Sequence, residues 1–216
     1  NSENEQGNDI VKLGIKEVLD KIGFGFGSQQ FINILFLQTG APLFLIGLVN
    51  SLRVVSGNLI SFFIERYKKT ILSQRLISAS GIVFGFSFLL IAVAIFLKSI
   101  WIFASAVLIS SIAIVVYSEA NSLFRISSSK ACLVEKIIKH GLVITAISLF
   151  VAAYLMDNYT ISGKPFLLDI NNNLFSFKIY GYLIVFEIAS ISFIFAGYIL
   201  SKIKDEKTTK VASIDS

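Results

Sequence analysis

Residues 71–97 read Ile-Leu-Ser-Gln-Arg-Leu-Ile-Ser-Ala-Ser-Gly-Ile-Val-Phe-Gly-Phe-Ser-Phe-Leu-Leu-Ile-Ala-Val-Ala-Ile-Phe-Leu. From Leu76 to Leu97 no side chain is ionisable. As a helix rising about 1.5 Å per residue this part alone is about 33 Å long, enough to cross a hydrocarbon core of about 30 Å. Working outward, runs of comparable length lie at about Ile22 to Ala41, Phe44 to Ile64, Ile100 to Tyr117, Ile137 to Met156 and Ile179 to Leu200. The expectation is an all-α membrane protein with six transmembrane helices in a domain spanning 22–201. Only Gln38-Thr39-Gly40-Ala41-Pro42 separates the first two runs, and its Gly and Pro suit a tight turn between antiparallel helices.

The composition agrees. Of 216 residues 55% are hydrophobic and 15% charged, against roughly 45 to 50% and about a quarter in soluble domains, and the mean hydropathy is +0.77. One cysteine, Cys132, and one histidine, His140, leave neither a disulfide within the sequence nor a Cys/His metal cluster. No HExxH, no aspartate pair inside the runs and no phosphate-cradling loop is present, so no catalytic residue, metal or cofactor is expected. The net charge of +5 comes from basic residues placed between apolar runs, which speaks for membrane topology and against a nucleic-acid partner.

Lys12, Lys16 and Lys21 precede the first run, Arg66, Lys68, Lys69 and Arg75 flank the second connection, Arg125, Lys130, Lys136 and Lys139 the fourth, and Lys202, Lys204, Lys207 and Lys210 follow the sixth. The opposite side has only Lys98, Lys164 and Lys178. Because cytoplasmic loops carry the positive excess, both termini are expected in the cytoplasm, and the plasma (inner) membrane is the expected location. Residues 1–21, with the start of the first run, place Ile10, Leu13, Val18 and Ile22 among Lys12, Lys16, Glu17, Asp20 and Lys21. They read as an amphipathic lead-in lying in the cytoplasmic interface, or equally as a polar tail; 202–216 read as a cytoplasmic tail or linker. The sequence opens Asn1-Ser2-Glu3 without an initiator Met and reads as cut from a longer chain.

Polar groups inside the runs mark candidate function, since an intramembrane charge costs on the order of 2.5 to 3.5 kcal/mol on insertion scales. Arg53 sits in the second run with Asn50 a turn before it and Asn58 further along, while the first run carries Gln29, Gln30 and Asn33. These six are the substrate-path candidates; the plainer alternative is interhelical hydrogen bonding. Glu187 in the sixth run lies at a depth similar to that of Arg53, so the two are expected to be able to pair, and Glu187 is the candidate for coupling to a proton. Gly81 and Gly85, and likewise Gly23, Gly25 and Gly27, would let helices approach closely.

Two stretches resemble the major facilitator superfamily of secondary transporters. Leu37-Gln38-Thr39-Gly40-Ala41-Pro42-Leu43-Phe44-Leu45-Ile46-Gly47-Leu48 is similar to that family's turn between helices one and two. Ser61-Phe62-Phe63-Ile64-Glu65-Arg66-Tyr67-Lys68-Lys69 is similar to its G-x-x-x-D-R-x-G-R loop, with Ser61 and Lys68 where the family has glycines. The resemblance implies one six-helix half of an alternating-access transporter for an unknown small solute, the N-terminal half by the turn pattern or the second half if the opening segment is a central linker, with Glu65, Arg66 and Lys69 as a cytoplasmic gate loop. The path of such a transporter runs between two halves. A second six-helix half is therefore implied, in the same polypeptide, a split subunit or a second copy. The alternative is a non-transporting six-helix scaffold or assembly subunit.

Overall fold

The computed structural model describes residues 2–38, 40–66, 74–127, 131–158 and 180–203. Their regular structure is helical throughout: α1 (Ser2–Phe26), α2 (Gln29–Gln38), α3 (Leu43–Arg66), α4 (Gln74–Phe96), α5 (Ile100–Ser127), α6 (Ala131–Met156) and α7 (Gly181–Ser201). Among the described residues four stretches are long and apolar enough to cross a membrane: Leu43–Phe63, Arg75–Phe96, Ile100–Ser118 and Gly181–Ser201. By length and composition this is a multi-pass helical membrane protein. His140–Met156 is a shorter apolar helix.

The first expected run departs from its expected form. Helix α1 continues through residues 21 and 22 without a boundary and stops at Phe26. The Gly27 amide donates to the Gly23 carbonyl at 2.7 Å, and the Ser28 carbonyl then accepts from Phe31 at 3.1 Å and Ile32 at 3.4 Å to start α2. Glycine weakens a helix interior and serine favours the position that begins one, so the apolar run 22–41 is split. At about 1.5 Å per residue α2 spans only about 15 Å, half of the hydrocarbon thickness.

The turn between the first two runs forms where the Gly and Pro placed it. Gly40 has φ of +85°, its amide donates to Leu37 at 3.0 Å, and the Ala41 amide reaches Phe36 at 3.4 Å. These are the paired bonds of a helix end closed by a left-handed residue. Helix α4 ends the same way, with Lys98 to Ile95 at 3.0 Å and Ser99 to Ala94 at 2.9 Å. Here the left-handed residue is Lys98, with φ of +51°.

Helices pack where small residues remove side-chain bulk, which is how membrane helices associate without a hydrophobic drive between them. A methyl group at Gly85 of α4 would stand 2.8 Å from the Ser190 carbonyl of α7, and one at Gly197 would stand 2.8 Å from that of Ser78. The Ser78 hydroxyl donates to the Gly197 carbonyl at 2.7 Å, so α4 and α7 are antiparallel and nearly backbone to backbone. Around them Phe193, fully buried, packs edge-on to Phe84 at 4.5 Å and to Phe24 of α1 at 5.1 Å. It also stacks on Phe88 at 5.9 Å. Helix α3 is the least covered, meeting mainly α5 and leaving Leu43, Phe44, Val54, Val55, Leu59, Phe62 and Phe63 exposed.

Candidate functional site

Gln29 opens α2, and Asn33 follows four residues later on the same face. Asn50 comes from α3, which the turn at Gly40 folds back alongside α2. The Gln29 amide nitrogen donates to Asn33 Oδ1 at 3.2 Å and to Asn50 Oδ1 at 3.1 Å. Asn50 Nδ2 completes the triangle by donating to Asn33 Oδ1 at 3.4 Å. Among the described residues no hydrogen bond uses Gln29 Oε1 or Asn33 Nδ2. The half-buried triad thus retains an acceptor and a donor, a neutral bipolar arrangement suited to a hydroxyl, amide or zwitterion of modest size.

The other expected residues are placed as follows. Arg53 is half-buried one turn along α3 from Asn50, and Ser56 Oγ donates to its carbonyl at 3.1 Å. Gln30 and Asn58 are exposed on α2 and α3, outside the triad. Glu187 is exposed on α7, which packs on α1, α4 and α6 while α3 packs on α2 and α5. Arg53 and Glu187 therefore stand on helices with different main neighbours, and the structure does not pair them. Arg66 is exposed at the end of α3; Lys69 and the side chain of Glu65 lie outside the described residues. Ser87 and Ser111 donate to carbonyls of their own helices, Phe84 at 2.6 Å and Val107 at 2.7 Å.

A second polar cluster went unrecognised in the sequence. On α1, Lys16, Glu17 and Asp20 are 0, 1 and 2% exposed. The Lys16 ammonium lies 2.8 Å from Asp20 Oδ2 and 3.1 Å from Glu17 Oε1, and 5.3 Å from the centre of the Tyr117 ring. The Tyr117 hydroxyl, from α5, donates to Asp20 Oδ1 at 2.7 Å. Burial pushes the Asp20 carboxyl above the usual carboxylate range, opposed by the Lys16 charge and by hydrogen bonds from Lys16 and Tyr117. The lead-in helix therefore turns its charges inward, while Val11 and Ile15 are exposed. One signal was present: Lys16 and Asp20 stand four apart, on the side of α1 away from Val11, Ile15 and Val18.

Comparison with protein-family models and with curated proteins finds no match.

Proposed function

We propose that the chain is one half of a secondary transporter, a six-span bundle that moves a small polar solute by alternating access, with its basic end and both termini on the cytoplasmic side. The carrying observation is the Gln29–Asn33–Asn50 triad, which sits immediately beyond the helix break at Gly27 and Ser28. Interrupted helices with polar side chains nearby are where membrane transporters hold solutes. The first span in this reading is composite, the end of α1 plus α2, and the fifth is the apolar part of α6. The chain binds no nucleic acid and needs no cofactor in this reading.

The poorly covered α3 supports a second half. Gln30 and Asn58 are exposed and Arg53 is half-buried, and in hydrocarbon such groups require protein or water. A facing bundle, from the same polypeptide, a split subunit or a second copy, supplies both. Glu65, Arg66 and Lys69 would then form the cytoplasmic gate loop.

A scaffold or assembly subunit is the second reading, favoured by the amides bonding one another across α2 and α3, as helix-joining groups do. Solute counterflow into proteoliposomes separates the two, using labelled monosaccharides, amino acids and organic acids as probes. The transport reading expects exchange of at least one class, lost in Asn50→Leu and reduced in Arg53→Ala. Absence of exchange for every class, from a chain assembled with its second half, would sink it.

A further inference from the structure

Three charges buried together are an expensive way to join two helices. Replacing a buried ion pair by apolar groups of similar volume is often neutral or stabilising, so Lys16, Glu17 and Asp20 add little as struts. What an apolar contact lacks is the capacity to change charge. The Lys16 ammonium is divided between two carboxylates, 2.8 Å from Asp20 and 3.1 Å from Glu17, and Asp20 is also tied to a different helix through Tyr117.

On α1 the neighbours are Lys16, Glu17 and Lys21, and the stem of Lys21 runs beside Gly141 of α6. Helix α5 contributes the Tyr117 hydroxyl. Around the Tyr117 ring, α4 and α7 supply Gly81 and Phe193. Of the charged or titratable residues described on α4, α6 and α7, Arg75, His140, Tyr154, Glu187 and Tyr198 are exposed, as is Lys202 just past α7, and Tyr182 is buried.

We propose that Asp20, held between Lys16 and Tyr117, is a proton-binding site that joins α1 to α5 and alters the charge of the bundle interior. A hydronium ion gives its proton to Asp20 Oδ2, its own O–H bond breaking to leave water. The ammonium of Lys16 then pairs with Glu17, and Tyr117 keeps its bond to Oδ1. No other reactant enters. The site goes beyond the transport reading, because binding a proton requires no solute; only its coupling to flux would rest on that reading.

The test is an infrared pH titration of the full chain in lipid nanodiscs, following the carbonyl stretch of protonated buried carboxyl groups. The wild type should show such a band with a midpoint above the ordinary aspartate value of about 4. Asp20→Asn should remove it and Glu187→Gln should keep it. Tyr117→Phe, which loses a donor to the ionised form, should move the midpoint upward by about one pH unit. A band that survives Asp20→Asn overturns the proposal, as does a Tyr117→Phe midpoint identical to that of the wild type. Should Asp20→Asn fail to fold, the Tyr117→Phe shift decides alone. Flux plays no part in this readout, so failure of the transport reading would leave it intact.

Discussion

Lys98 closes α4 in a left-handed conformation that costs a residue with a β-carbon about 1 to 2 kcal/mol. Lys98→Gly should therefore raise stability by about 1 kcal/mol, read as a higher melting temperature in detergent. Lys16 should behave in the opposite way. Removing one partner of a buried ion pair costs about 3 to 5 kcal/mol, so Lys16→Met should lower the melting temperature strongly at neutral pH. Asp20 fixes the direction of the pH dependence. Its carboxyl is raised in the folded state, so the folded chain holds the proton more tightly than the unfolded one. Its stability contribution is then complete below the unfolded value of about 4 and declines as pH rises through the folded value. Melting curves across that interval should slope downward with pH in the wild type and be flatter in Asp20→Asn. The Lys16→Met deficit should shrink at the acid end.

Among the elements, α4, α5 and α7 were legible because an uncharged run the length of a bilayer has few other fates, and the Gly40 turn because left-handed backbone selects glycine. The break at Ser28 was not, because an apolar run shows where a segment can be buried but not where its backbone bonds are interrupted. Glycines can be sorted by what they touch. A side chain at Gly25 of α1 would run into Ser148 of α6, whereas at Gly47 of α3 nothing lies within 4 Å. Gly25→Val should destabilise by about 1 to 3 kcal/mol through overpacking. Gly47→Ala should be neutral or gain up to about 1 kcal/mol from helix propensity. Chemical unfolding in mixed micelles compares the pair; equal effects would remove the distinction.

At the scale of the whole molecule, the charges on α1 were misplaced for a physical reason. A polar stripe on a helix satisfies itself equally against water or against protein, and the residue that decides, Tyr117, is 97 positions away. The amide triad was half legible: the spacing of Gln29 and Asn33 places them on one face, but only the fold brings Asn50 between them. The same fold supplies a test of a water-filled path on the α2–α3 side. In a Cys132→Ser background, Gln30→Cys and Asn58→Cys should react with an aqueous maleimide several times faster than Val55→Cys or Phe63→Cys. Uniformly slow labelling would place lipid, and not a path, on that side.

Gly23, Gly25 and Gly27 each meet a different helix: Phe193 of α7, Ser148 of α6 and Phe88 of α4. Successive members of this set are about 200° apart around the axis, so the contacts grip α1 from opposite sides like teeth on an indexed shaft. Rolling α1 by even one residue would present a β-carbon to each tooth at once. Whatever motion this bundle makes, α1 can take part by tilting at the Ser28 joint but not by turning on its own axis.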